Sequence, residues 1–108
     1  SLTVPLAIGY IDGRISIYNN VYLTSSLRQT ITAHTDGHWS SSNDRFMNDI
    51  RFMKYVNESC FSTASFDMRI KLWKILDGNL LQTVMINSLS FENIEILDDG
   101  RLVSGDIN

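Results

Sequence analysis

The chain has 108 residues, of which 44% are hydrophobic and 19% are charged, a composition typical of one ordinary globular domain. Its formal net charge of −3 disfavours nucleic acid as a partner, because no basic stripe is available to face a phosphate backbone. No apolar run approaches the roughly 20 residues that span a bilayer, and the one cysteine excludes an internal disulfide, so we expect a cytoplasmic or nuclear protein without membrane association.

The first third of the chain predicts three consecutive β-strands. Residues 6–10 form an apolar run of the kind found in strands that are buried on both faces. Residues 14–18 alternate polar and apolar side chains with period two, and residues 27–32 predict the strand that follows. The Asp12-Gly13 dipeptide between the first two strands predicts a tight turn.

The middle of the chain repeats this arrangement. Its three corresponding strands are predicted at residues 60–64, 69–73 and 80–85. The turn residue Asp67 lies 55 residues after Asp12, and the strand after it ends on Trp73, where the first copy has Tyr18. A further strand at residues 49–52 precedes these three, so the second unit has four strands.

A third and shorter copy follows. Residues 92–97 and 102–108 predict the first two strands of another unit, and Asn108 lies 41 residues after Asp67. A period of this length is typical of β-architectures that are built blade by blade. The sequence therefore predicts an all-β chain of three units: residues 1–34, 35–87 and 88–108.

These features resemble the WD-repeat β-propellers, whose blades are four-stranded antiparallel sheets with a turn Asp six residues before a Trp. Asp67 and Trp73 have this spacing, and His34 follows Ala33 where the family has a Gly-His step. The resemblance implies an open, incomplete propeller segment. It also implies a structural chain of side-chain hydrogen bonds that includes the hydroxyl of the second strand: His34, Thr63, Asp67 and Trp73.

The other two units depart from this pattern. The first has Ile8 at the hydroxyl position and Tyr18 in place of Trp, so we expect its network to be broken. The third keeps a hydroxyl at Ser104, but Asn87 and Asn108 replace the His and the Asp. Only the second unit therefore has the complete set of residues.

The chain is too short to close a propeller by itself. Closure needs at least about four blades, whereas this length holds about two and a half. We therefore predict a fragment of a longer propeller, with two alternatives: a chain completed by a partner or by self-association, or an isolated stack of twisted sheets. Arg69 and Lys71 are expected to be solvated charges that discourage pairing at a strand edge.

The second unit carries an insertion at residues 35–45. It is polar, and it includes Trp39 without a predicted strand to pack it. Trp39 flanked by His38 and Arg45 has the residue types of a binding hot spot, although a surface loop with Trp39 folded back on the blade is the competing interpretation. In the family this connection opens, with the tight turns, on the face where partners dock. The candidate partner-binding residues are His38, Trp39, Arg45, Asp12 and Arg69.

No motif in the chain predicts chemistry. His34 and His38 with Asp36 and Asp44 lack the spacing of a metal site, and neither a nucleophile turn nor a phosphate-binding loop is present. We therefore predict a non-catalytic protein–protein interaction scaffold with no catalytic residue, metal or cofactor. The alternative is a structural module, completed by a strand or blade from a partner or by a second copy in a homo-oligomer.

Overall fold

The computed structural model describes residues 3–21, 24–86, 94–96 and 102–104. None of these residues is helical, so this part of the chain contains no helix that could span a membrane. Its strands in chain order are β1 (Thr3–Gly9), β2 (Arg14–Val21), β3 (Thr24–Thr32), β4 (Trp39–Ser40), β5 (Arg45–Phe46), β6 (Ile50–Tyr55), β7 (Cys60–Ser65), β8 (Arg69–Lys74), β9 (Leu80–Met85), β10 (Ile94–Ile96) and β11 (Leu102–Ser104).

All the sheets are antiparallel, and their strands follow one another in chain order. Strands β1 to β3 form a three-stranded sheet, β6 to β9 a four-stranded sheet and β10 with β11 a pair. The sequence predicts three, four and two strands in these segments, and the sheets have these numbers. The prediction of an all-β, antiparallel chain is thus confirmed, with β4 and β5 as an additional short hairpin.

The tight turns of the two larger sheets have the same geometry. In each turn the Asp side chain accepts a hydrogen bond from the backbone N–H two residues later, at 3.2 Å for Asp12 and 3.0 Å for Asp67. The residue between has a positive φ, 87° at Gly13 and 64° at Met68. A Cβ at Gly13 would lie 2.3 Å from the carbonyl oxygen of His34, so glycine is required for this connection to approach the turn.

The main core lies between the three-stranded and the four-stranded sheet. Alternation places Ile15 and Ile17 of β2 on one side of it, and Phe61 of β7 with Trp73 of β8 on the other. All four side chains are at least 96% buried. A second, smaller cluster covers the far face of the four-stranded sheet, around Ala64, Ile70, Phe52, Val84 and Ile86. Strand β7 therefore has apolar neighbours on both faces, in agreement with its apolar sequence.

Two expectations about exposure were wrong. Strand β1 is not buried on both faces, since Leu6 and Ile8 on its outer face are 43% and 38% exposed. Arg69 and Lys71 do not lie at an edge, because β8 is paired on both sides, with β7 and with β9. The Lys71 Nζ atom donates to the carbonyl oxygen of Ala33 at 2.7 Å, so this charge joins the sheet to the preceding connection.

Candidate functional site

The four residues of the predicted network form one continuous chain of hydrogen bonds. His34, in the connection after β3, is fully buried, with its Nδ1 atom 2.9 and 3.0 Å from the carboxylate oxygens of Asp67. Its Nε2 atom lies 2.7 Å from the Thr63 Oγ1 atom, which also accepts a hydrogen bond from the Trp73 indole at 2.9 Å. The chain joins a loop, a turn and two strands.

Each group in this network has a role that follows from its chemistry. The Asp67 carboxylate can only accept, so the His34 Nδ1–H donates to it. With the ring proton at Nδ1, His34 Nε2 accepts from the Thr63 hydroxyl, and the Thr63 oxygen accepts from the Trp73 indole N–H. Because a buried polar group without a partner costs about 1–3 kcal/mol, the completed network favours this one arrangement of loop and sheet.

The first sheet has no counterpart of this network. Ile8 supplies no hydroxyl, and Asp12 lies at the surface in the tight turn, as the substitutions in this unit predict. Tyr18, in place of the Trp, makes a side-chain hydrogen bond with Tyr10 instead. Hydrogen bonds from Ser16 and Tyr18 lower the pKa of Tyr10, while the hydrogen bond with Tyr10 raises the pKa of Tyr18.

The third unit is described only in part. Asn87 and Asn108 lie outside the described residues, so the structure does not test how these substitutions affect the network. For Ser104 the structure gives the backbone position in β11, paired with Ile94. The network can therefore be compared between the first and the second unit only.

The turns and the long connection come together at one end of the two sheets, which we call the top surface. The β1–β2 turn meets the β3–β6 connection where Arg45 Nη1 donates to the carbonyl oxygen of Ile11 at 3.4 Å. The β7–β8 turn meets the same connection where Arg69 Nε lies 3.5 Å from Asp36 Oδ2. The structure thus brings the predicted binding segments into one surface.

The insertion is an ordered hairpin, and the expectation that Trp39 has no strand to pack it was wrong. Trp39 in β4 pairs with Phe46 in β5, and their rings meet edge to face, 5.2 Å apart at 74°. The turn between them is stabilised by Ser40 Oγ, which accepts from the Asn43 backbone N–H, and by Asp44 at a φ of 54°. A polar turn flanked by two aromatic residues was the signal that sequence reasoning missed.

The predicted partner-binding residues separate into two groups. Trp39 is 52% exposed, and His38 and Asp12 are also exposed. Arg45 and Arg69 are instead partly buried, and their guanidinium groups lie beside the carboxylates of Asp49 and Asp36. On the top surface, sequence reasoning missed Phe46 and Ile11, whose side chains are 58% and 64% exposed.

Arg45 fastens the hairpin to the sheet below it through two hydrogen bonds to Asp49. Its Nη1 and Nη2 atoms lie 2.7 and 3.1 Å from the two carboxylate oxygens, and Asp49 is buried. This bidentate pairing lowers the pKa of Asp49 below its ordinary value and raises the pKa of Arg45. Arg45 therefore positions the hairpin rather than presenting a free charge to a partner.

The Arg45–Asp49 pair predicts a specific dependence of stability on pH. Since the folded-state pKa of Asp49 is lowered, its contribution is present above the unfolded value of about 3.8 and is lost as the pH falls through the folded value. We expect the wild type to lose more unfolding free energy between pH 6 and pH 2 than Arg45→Gln does. Urea unfolding at each pH measures this loss. Lys74→Gln removes a charge at the opposite end of the sheet as the control, and parallel curves for wild type and Arg45→Gln would contradict the prediction.

Neither a metal-ligand cluster in the described residues nor a known relative identifies this site. Within that part of the chain, no group of three or more His, Cys, Asp or Glu side chains is placed to hold a metal ion. Comparison of the chain with protein families, with curated proteins and with solved structures finds no match.

Proposed function

We propose that this chain is a WD-repeat-type propeller segment that acts as a non-catalytic scaffold and binds a protein partner at the top surface. The four-stranded antiparallel sheet with strands in chain order supports the blade assignment, and so does the stacking of the preceding sheet against it. The hydrogen-bonded chain from His34 to Trp73 supports it further, because it ties the connection between two sheets to the interior of the second. The remaining blades belong to a longer chain or to a partner.

The exposed aromatic pair carries the proposal of protein binding. Trp39 and Phe46 are both more than half exposed, although they pack against each other in an ordered hairpin. Large aromatic side chains that are held rigidly at a surface contribute most to protein–protein affinity, since little side-chain entropy is lost when a partner covers them.

The hairpin is a rigid platform because its base is hydrogen-bonded. The Met47 backbone N–H donates to the carbonyl oxygen of His38 at 2.9 Å, and the Gly37 N–H donates to Asn48 Oδ1 at 2.7 Å. Gly37 has no room for a side chain, because a Cβ there would lie 1.9 Å from the carbonyl oxygen of Met47. A partner would therefore meet a preformed surface rather than a loop that must first be ordered.

Trp39→Ala tests this function. We expect the variant to lose at least about thirtyfold in affinity for a partner captured by the wild-type chain, because truncation of an aromatic hot spot costs about 2 kcal/mol or more. Titration of the purified partner measures the loss. Leu76→Ala is the control, since Leu76 is an exposed apolar residue in the β8–β9 turn at the opposite end. Equal losses for both variants, or none for Trp39→Ala, would contradict the proposal.

A structural module completed by association is the second candidate function. The observation in its favour is the outer face of the three-stranded sheet, where Leu6, Ile8 and Leu27 are 43%, 38% and 56% exposed. Soluble monomers rarely leave large contiguous apolar faces uncovered. Light scattering separates the two candidates: a mass that rises above 12.3 kDa with concentration, equally in wild type and Trp39→Ala, favours assembly.

A further inference from the structure

The ion pairs beside the β4–β5 hairpin leave carboxylates, rather than guanidinium groups, facing solvent. Asp36, directly before the base of the hairpin, has a side chain that is 55% exposed, whereas that of its partner Arg69 is 24% exposed. Arg45 is 33% exposed, and both of its Nη atoms donate to the carboxylate of Asp49. The two arginines that could attract an anionic partner are therefore partly buried and already paired.

Asp44 adds a second exposed carboxylate, in the turn of the same hairpin. It lies two residues before Phe46, so the two Cα atoms are at most about 7 Å apart. In the part of the chain that the structure describes, Asp44 makes no ion pair. The hairpin therefore presents an unneutralised negative charge close to its aromatic pair.

Two further arginines near the top surface do not reverse the sign of this charge. Arg14 in β2 has its Nε atom 2.6 Å from the Asp12 carboxylate, and the two side chains are exposed to similar extents, 53% and 49%. Arg51 in β6 lies over the ring of Phe66, with its Cζ atom 5.0 Å from the ring centroid. Both arginines belong to the sheets, and the hairpin itself remains negative.

The aromatic pair can receive a cation as well as an apolar side chain. Trp39 and Phe46 meet edge to face at 74°, so one of the two rings keeps both of its faces free of this contact. Both side chains are more than half exposed. A cation over an aromatic ring is attracted by the negative face of the ring, and arginine suits this position because its guanidinium is planar and weakly hydrated.

We propose that the partner of the top surface is a basic protein segment, one of whose arginines stacks on the Trp39–Phe46 pair and forms an ion pair with Asp44. The inference rests on the proposed function, because it names the chemistry of a partner at the same surface. The aromatic pair by itself would accept any large apolar residue. The exposed carboxylates of Asp36 and Asp44 select a cation, since they would repel an acidic segment.

An array of capped octapeptides with random sequences tests this inference, because it assumes no sequence for the partner. The full chain and its Trp39→Ala variant are each incubated with the array. Peptides that bind the wild type but not the variant are those that use the top surface. Among them we expect Arg and Lys to be enriched severalfold over Asp and Glu, relative to the array as a whole.

The outcomes of the array separate this inference from the proposed function. Peptides that depend on Trp39 but show no enrichment of basic residues, or an enrichment of acidic ones, would overturn the inference and leave the proposed function standing. An array without any peptide that depends on Trp39 would overturn both.

The role of Asp44 is tested with the strongest arginine-containing peptide that depends on Trp39. Asp44 has a φ of 54°, which Asn also adopts readily, so Asp44→Asn removes the charge and keeps the turn. Titration followed by fluorescence anisotropy should show a loss of about two- to fivefold at about 50 mM NaCl, and a smaller loss at about 500 mM, where exposed charges are screened. A peptide with Gln in place of the arginine should bind wild type and Asp44→Asn equally.

Asp77→Asn is the matched control, because Asp77 is an exposed carboxylate in the β8–β9 turn at the opposite end of the sheet. We expect this variant to bind the arginine peptide as the wild type does. Equal affinities of wild type and Asp44→Asn, or the same loss for Asp77→Asn as for Asp44→Asn, would overturn the ion pair with Asp44.

Discussion

Replacing Trp73 with Ala is expected to destabilise the chain by about 3–5 kcal/mol. The indole is buried in the main core, where it contacts the sheet that precedes it, and its removal leaves a cavity between the two sheets. The substitution also removes the donor to Thr63 at the end of the buried hydrogen-bonded chain. Urea unfolding followed by circular dichroism measures the difference in unfolding free energy from the wild type.

Trp73→Phe separates packing from hydrogen bonding in this prediction. The Phe ring keeps much of the apolar contact, but it has no N–H for Thr63, so a loss of about 1–3 kcal/mol is expected. A midpoint of Trp73→Ala that barely differs from that of the wild type would show that the indole does not hold the two sheets together.

Replacing Asp67 with Ala is the second large effect, with an expected loss of about 2–4 kcal/mol from one buried donor left without an acceptor and one lost turn bond. Asp67 is buried, and its carboxylate accepts hydrogen bonds from the His34 ring and from the backbone N–H of Arg69. Without it the buried Nδ1–H of His34 has no acceptor, and the tight turn loses its side-chain bond. The same urea unfolding experiment measures this loss.

Asp12→Ala is the matched control for Asp67→Ala. Asp12 stands at the same position of the other tight turn and makes the same bond to the backbone, but its side chain is exposed and no buried His depends on it. We expect this variant to lose about 0.5 kcal/mol or less. Similar losses at both positions would mean that the turn bond matters and that the buried network does not.

The positions of most strands could be predicted from the sequence because their signals are local. The period-two alternation in β2 and β8 and the turn residues Asp12 and Asp67 act within a few residues of chain, so they appear in the sequence at the places where the sheets need them. The β4–β5 hairpin was missed because each strand has only two residues. Its main signal is the contact between Trp39 and Phe46, which forms only once the turn closes.

The burial of individual side chains was predicted less well, because burial depends on what lies beside a strand. The apolar residues of β1 and β7 look alike in sequence, but β7 has apolar clusters on both faces of its sheet, whereas the outer face of β1 leaves Leu6 exposed. The charges of Arg69 and Lys71 suggested a strand edge, whereas β8 lies inside its sheet. Neither the apolar runs nor the charges indicate whether a strand is paired on one side or on both sides.

The sequence by itself determined the all-β class, the repeated unit and the four residue types of the buried network. All three follow from residue types and their spacing along the chain. The tertiary structure alone decided how these residues meet. His34 and Asp67 are 33 residues apart in the chain, and they come within 2.9 Å only because the connection folds back over the turn. The top surface likewise combines segments that are distant in sequence, and packing between two sheets is a long-range property that local patterns do not contain.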